Sequence, residues 1–298
     1  MERFSSQRRP HMVESNVVGK VVAITEAIAT AGAISWWRLS GTIDEYNLQQ
    51  AWKAAGLDEK LLPHSPSASR ILRRVLREHE NKTTLVRSVA QEVYALARRA
   101  DENDKLRFVE FLRARATESE VDGVDLQIES EDTKLAAEIR SSFECGRGKL
   151  DASDVSGWLC DLVKELKAVS LRDMGGIYFI PFSAVATWQK IIGVLRALSG
   201  HFFAEVPALR SDEAVDAILD AVIREAKAEA DELERDLEDP EKLGTRAFKT
   251  RATRCEEMSE KVKTYEALLE VNMEPLRERL RSLQANIAAA ILAGGSDE

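Results

Sequence analysis

The sequence predicts an α+β fold: a mixed or antiparallel sheet with packed helices, followed by a long C-terminal α-helical hairpin with a coiled-coil-like seam. Three observations carry that expectation. First, two apolar, β-prone runs at 177–181 and 202–209, each carrying a proline, flank a segment at 184–198. There Trp188, Ile191, Ile192, Leu195 and Leu198 recur at helical spacing. Second, residues 83–130 read two ways: Leu85, Val89, Val93 and Leu96 would make a helix stripe, but the segment is also rich in β-branched and alternating apolar positions. An Asp-Glu-Asn-Asp run at 101–104 suits a hairpin loop, so an antiparallel meander is expected. Third, beyond Leu209 the apolar positions step by three and four over more than seventy residues, which is helical-hairpin patterning.

Taken in order, residues 1–16 are polar, contain Pro10 and read as a flexible arm. Residues 17–209 read as one α+β domain and 210–298 as the helical arm. Residues 17–31 have spacing compatible with a short helix, and 34–39 (Ile-Ser-Trp-Trp-Arg-Leu) form a β-prone run ended by Ser40 and Gly41. Thr42 with Glu45 three residues on has capping-box form. It predicts a helix through Leu48 and Trp52, stopped by Gly56. Ser67 or Ser69 can cap a helix over 70–79 whose apolar side is Ile71, Leu72, Val75 and Leu76. After the meander a helix over 133–143 is expected, then one capped by Asp151 or Ser153 through Trp158, Leu159, Leu162 and Leu166. Gly175 and Gly176 open one strand of the strand–helix–strand unit, and Ser199 and Gly200 open the other. A helix from Ser211 is lined by Val215, Ile218, Val222, Ala226 and Leu233. A second runs through Cys255, Met258, Val262, Tyr265 and Leu269, and the line resumes at Leu276, Leu280, Leu283 and Ile287 after Pro275, which Asn272 can precede as a cap.

Bulk composition excludes several classes. With 298 residues, 44% hydrophobic and 31% charged, the chain can bury a full core. No apolar run approaches the ~20 residues of a membrane span, and no apolar stretch follows the N-terminal arginines as in a secretion signal. Three widely spaced cysteines (Cys145, Cys160, Cys255) argue for a reducing compartment and against a disulfide framework or zinc site, so a cytoplasmic location is expected. The net charge of −9 is uneven: residues 1–120 hold 19 basic and 16 acidic side chains, the remainder 23 and 35. Residues 212–239 hold 12 acidic and 3 basic side chains, which reads as a solvated helix face.

Chemistry is sparse. His201 at a strand start has Glu205 four residues on, on the same strand face, but an acid–base pair needs a third group and a pocket. A hydrolase centred on His201 is therefore the remote reading. His11, His64 and His79 stand alone, so no metal site is expected. Gly175-Gly176 precedes a strand instead of following one and is a turn, not a nucleotide cradle. No catalytic residue and no cofactor is expected. Nucleic-acid binding has more behind it: Arg70, Arg73, Arg74 and Arg77 line one helix, a spacing that lets several arginines reach one phosphate backbone. Arg98, Arg99, Arg107, Arg113 and Arg115 would extend that patch if the meander packs beside it, and Trp36 and Trp37 could stack on unpaired bases.

The run Leu171-Arg172-Asp173-Met174-Gly175-Gly176-Ile177-Tyr178-Phe179-Ile180-Pro181 resembles a signature of uncharacterised proteins of tailed phages and mobile elements. In that signature a leucine–arginine pair, two glycines, an aromatic strand and a proline precede a helix and a second strand. The run at 34–39 and the helix to Gly56 are similar to the N-terminal part of the same group. The resemblance covers about residues 30–225 and implies a setting in a bacterial host cytoplasm, without supplying a reaction. The sequence reading is thus a non-enzymatic phage-type protein acting through protein–protein contacts, as an adaptor, an inhibitor of host machinery or a self-assembling factor. Its expected interface is the C-terminal seam, Val262, Tyr265, Leu269, Leu276, Leu280 and Leu283, so that charged residues at Val262 and Leu269 would abolish association. The alternative is nucleic-acid binding through the basic helix, and no membrane partner is expected.

Overall fold

The computed structural model describes residues 30–102, 105–119, 123–173, 175–237 and 245–294. The flexible arm expected at 1–16, nearly all of the helix expected at 17–31 and the tip of the 101–104 loop lie outside them; Thr30 and Ala31 open the first strand.

The chain begins with β1 (Thr30–Arg38), continues into β2 (Thr42–Asp44) and then α1 (Glu45–Ala54). Asp44, not Thr42, caps α1. Its carboxylate accepts the Asn47 N–H at 2.9 Å, while Thr42 is drawn into β2 by pairing with Asp151. Two candidate caps two residues apart compete, and strand pairing decides between them. Ser67 caps α2 (Ala68–Arg77) by accepting from the Arg70 N–H.

The meander forms as expected, with β3 (Thr84–Ala90), β4 (Val93–Glu102), β5 (Lys105–Ser119) and β6 (Gly123–Ser130) antiparallel in sequence order. Its apolar face, with Leu96, Leu112, Ala114, Ala116 and Leu126, packs on Ile71, Leu72, Val75 and Leu76 of α2. Ile139 and Phe143 of α3 (Thr133–Gly146) complete that core.

β7 (Lys149–Asp151) pairs with β2, and α4 (Ala152–Glu165) starts from a reciprocal capping box between Asp151 and Asp154. β8 (Val169–Ser170), β9 (Tyr178–Pro181), α5 (Phe182–Leu198) and β10 (Phe202–Leu209) follow. The strand–helix–strand unit is split: β1 lies between its two strands, in the order β10-β1-β9-β8, with every neighbour antiparallel. Strand alternation then gives this central sheet two covered faces. On one, Tyr178, Ile180 and Phe203 meet Trp188, Ile191 and Leu195 of α5, together with side chains of α1 and α4. On the other, Ala31, Val169, Phe179 and Ala208 meet the C-terminal helices.

Those helices are α6 (Asp212–Leu237), α7 (Thr245–Leu269) and α8 (Glu274–Gly294). α7 and α8 pack antiparallel as expected; the Cys255 thiol reaches the Leu280 carbonyl at 3.4 Å, and Asn272 accepts the Glu274 N–H ahead of Pro275. α6 joins them, making three helices whose shared core is continuous with the sheet. Lys261, nearly buried in α7, bonds the Ala168 carbonyl and the Glu225 carboxylate, both at 2.6 Å. Tyr265 donates its hydroxyl to the Lys167 carbonyl at 2.9 Å. Among the described residues no helix is long and apolar enough to cross a membrane.

Candidate docking face

The basic helix is divided by its surroundings. Its apolar stripe faces the meander, which turns Arg70 and Arg74 toward α4. Asp154, whose side chain is only 4% exposed, takes Arg70 and Arg74 at 2.8 Å each, and Arg74 also reaches Asp151 at 3.2 Å and the Gly146 carbonyl at 3.2 Å. Partial burial works to raise the Asp151 pKa, but the Asp154 N–H and the Arg74 guanidinium outweigh it and hold the carboxyl below its ordinary value. Two of the four arginines therefore join the meander unit to the rest of the chain, leaving Arg73 and Arg77 exposed.

Of the meander arginines, Arg98, opposite the buried Thr84, lies on the helix side with its guanidinium 5.0 Å from the Phe111 ring centroid, whereas Arg113 and Arg115 do not extend that patch. Leu112, Ala114 and Ala116 face α2, so Arg113 and Arg115 stand on the opposite side of β5. Arg87 is likewise turned away from the helices and lies 4.6 Å from the Phe108 ring centroid, and Arg113 is held by Glu110 at 2.8 Å. The tryptophans belong to the other sheet. Trp37 is stacked on Tyr178 at 5.0 Å and lies 5.8 Å from Trp188, inside the layer under α5, while Trp36 faces the other way.

The seam residues are also internal. Val262, Tyr265 and Leu280 have no exposed surface, and Leu269, Leu276 and Leu283 are buried with them against the sheet. Their side chains hold one chain together, so charges at Val262 and Leu269 would disrupt the core itself.

His201 is buried at the start of β10. Its Nδ1 accepts the Ser40 N–H at 3.1 Å, which leaves the proton of the neutral ring on Nε2. Burial lowers its pKa, the Ser40 contact opposing this more weakly. Glu205 turns to Gln189 at 2.6 Å, and four residues of strand place it about 13 Å from His201. The two do not form a pair. Among the described residues no group of His, Cys, Asp and Glu could hold a metal. A cleft of about 480 Å³ lies between the 60–67 loop and α4. Arg70 and Asp154 are paired, and the Trp158 indole donates to the Leu61 carbonyl at 2.8 Å.

Among the described residues, one corner of the central sheet is left partly uncovered. On the face that carries the C-terminal helices, cross-strand pairing sets Trp36 opposite Ala204, Ile34 opposite Val206 and Arg38 opposite Phe202. The helices cover Ala31, Ala208 and part of Ile34 and stop there. Trp36 is left 36% exposed, Phe202 49% and Val206 43%, with the exposed Arg38 guanidinium 5.7 Å from the Phe202 ring centroid. Single exposed apolar side chains are ordinary; three large ones on adjoining strands of one face are a patch.

The patch is held flat from behind: the Trp188 indole donates to the buried Ser35 hydroxyl at 3.0 Å, which bonds the Ala204 carbonyl at 3.0 Å. β10 is an edge strand with a blunted edge. Pro207 brings no N–H, and the Phe203 carbonyl, four residues earlier and so turned the same way, is occupied by Arg196 at 2.7 Å. Pro207 and the occupied Phe203 carbonyl thus disfavour strand addition at this edge, beside the exposed face.

The fold defines an α+β protein built on antiparallel sheets, with C-terminal helices packed together on one of them. The model of a family of unknown function, DUF6744, matches residues 31–293, from β1 to the last turn of α8, and the chain belongs to that family. Neither a curated protein nor a solved structure matches it.

Proposed function

We propose that the chain has no chemistry of its own and works by contact with another protein, made at the uncovered corner of the central sheet. The observation that supports this most is the exposed set Trp36, Phe202 and Val206 on a rigidly backed face whose edge is closed to strand pairing. Aromatic side chains that are already ordered lose little freedom on binding, and they form the centre of most interfaces. The groups that chemistry would need do not converge: His201 is bonded to Ser40 through Nδ1, Asp154 to two arginines and Glu205 to Gln189. The resemblance to phage and mobile-element proteins supplies the setting of this reading, a bacterial host cytoplasm. Nucleic-acid binding retains from its helix only Arg73 and Arg77 as uncommitted cations, too few for a steep salt dependence.

The test places a photo-crosslinking residue at Val206 and, as a control, at Arg115 on the outer face of the meander, in cells expressing the full chain. A discrete protein adduct at 206 that Trp36→Asp suppresses, with none at 115, supports the reading. Adducts at neither position, or nucleic acid as the adduct, overturn it.

A further inference from the structure

We infer that residues 68–146 form a lobe that swings on two short linkers and is held shut by a guanidinium–carboxylate latch centred on Asp154, so that release of the latch opens the cleft beside α4. Among the described residues, every buried member of the cluster under the meander lies between Ala68 and Phe143. The side chains half-buried against it, from Val86 to Leu135, come from the same stretch. The other two clusters meet at the central sheet and take nothing from it. One contiguous piece of chain, entered after α1 and left at β7, thus carries a core of its own, as a separate domain does.

The junction between this lobe and the body differs from a packed interior. Arg70 and Arg74 reach across it to Asp154 at 2.8 Å each and Arg74 to Asp151 at 3.2 Å, while Ser65 in the entry linker donates to Glu45 at 2.7 Å. Two voids flank these bonds. One, of about 170 Å³, lies between Glu45 and Gly148 on one side and Ala68, Ile71 and Phe143 on the other. The second is the 480 Å³ cleft, with α4 as one wall and the entry linker and Arg70 as the other. Interlocked core side chains resist displacement, whereas a polar, hollow junction resists mainly through its ion pairs, and units joined that way move. The linkers suit a hinge: 63–67 is irregular chain holding Pro63 and Pro66, and the exit passes Gly148 at φ +68°, where a side chain would be strained. α4 is fixed to the body through Trp158, Leu159 and Leu162, while Arg70 belongs to the lobe. The Arg70–Asp154 pair therefore ties the moving wall of the cleft to its fixed one, and parting it lets the walls separate.

The experiment is pulsed electron–electron double resonance on the full chain, with spin labels carried by unnatural amino acids at Arg115 on the meander and Lys190 on α5, both exposed. In the unaltered chain the closed distance should dominate, with the open form at about a tenth or less. Asp154→Asn keeps a side-chain oxygen to accept the Asp151 N–H, and with it the start of α4, but removes the charge that both arginines hold. The ratio of open to closed molecules should rise at least about tenfold. Arg70→Gln with Arg74→Gln removes the latch from the other side and should do the same, and it carries the test if Asp154→Asn does not fold. Label pairs within the lobe (Arg115 with Lys134) and within the body (Lys190 with Glu256) should keep their distances in every variant, because the lobe turns as a unit. A 115–190 distance distribution that neither latch variant changes overturns the inference, as does opening in only one of the two or an open majority in the unaltered chain. A change in either internal pair overturns it too, since the lobe or body would then be melting and not swinging.

Discussion

Replacing Tyr265 by alanine asks whether the C-terminal helices are a separate arm or part of one cooperative unit with the central sheet. The Tyr265 side chain has no exposed surface, its ring centroid lies 6.1 Å from that of Phe179, and its hydroxyl donates to the Lys167 carbonyl at 2.9 Å. Truncating a buried aromatic to alanine costs about 3–5 kcal/mol. The aromatic pair adds about 0.5–1.5 kcal/mol and the hydrogen bond about 1 kcal/mol. These overlap, and loosening around the cavity recovers some of the loss, so about 4 kcal/mol is expected overall. That is a large share of the roughly 5–15 kcal/mol by which a domain is stable. Because the core holding Tyr265 also holds Ala31, Val169, Phe179 and Ala208, the loss should reach the sheet. Native-state hydrogen exchange measures this directly: amides of β1 and β9 should open about a thousandfold more often, in step with those of α7. If α7 and α8 lose protection while β1 and β9 keep theirs, the helices are an independent arm and the continuous core described above does not act as one unit.

Three further outcomes follow from single residues. Asp154→Ala removes the shared acceptor of Arg70 and Arg74 and one half of the α4 capping box. Arg74 is still 22% and Arg70 57% exposed, so the cost is below that of a fully buried pair; about 2–3 kcal/mol is expected in urea denaturation, and a change under about 0.5 kcal/mol would show the network to be ornamental. Gly32→Ala would bring a Cβ to 2.1 Å from the Ile180 carbonyl oxygen, where β1 meets β9. Backbone must shift, at about 3 kcal/mol, and an unchanged thermal midpoint would contradict that packing. His201 has a native pKa below its ordinary 6.5, so the unfolded chain takes up its proton first as pH falls. Its contribution to stability is complete above about pH 6.5 and is lost progressively below it, down to the native pKa. The stability difference between the protein and His201→Asn, measured by denaturation from pH 8 to 5, should shrink over that window; a constant difference would refute the assignment.

Much of the fold was legible because its signals are local. Alternation in the meander, Ser67 ahead of α2, Asp151 ahead of α4 and Asn272 ahead of Pro275 each act within four residues, and each is found in place. The failures come where two local signals compete or where the deciding contact is distant. Thr42 and Asp44 are both competent caps, and only the pairing of Thr42 with Asp151, over a hundred residues away, selects Asp44. The insertion of β1 between β9 and β10 is of the same kind. Nothing in the strand–helix–strand unit announces that its partner strand lies about 150 residues earlier. The step-by-three-and-four seam was read correctly as helix packing. Its periodicity is the same whether the seam faces another helix of the chain or another molecule, and here it faces α6 and the sheet.

The candidate site was concealed by the same ambiguity in a sharper form. A strand covered on both faces is apolar throughout, and both Ile34-Ser35-Trp36-Trp37 and Phe202-Phe203-Ala204-Glu205-Val206 read that way. Among the described residues the two faces of that corner differ: Trp37 and Phe203 pack under α5, while Trp36, Phe202 and Val206 are left partly exposed. Pattern reports that a side chain is suited to burial, not which molecule buries it. The arginines err in the opposite direction, since helical spacing put four cations on one helix and could not foresee that Asp154, eighty residues on, would claim two of them. The edge of β10 is where sequence says more than periodicity does. Pro207 in an otherwise ideal strand has little use in the interior of a sheet, and with Arg196 closing the Phe203 carbonyl it marks an edge built against strand addition. The same strand thus carries a blunted edge and, on the face beside it, partly exposed Phe202 and Val206.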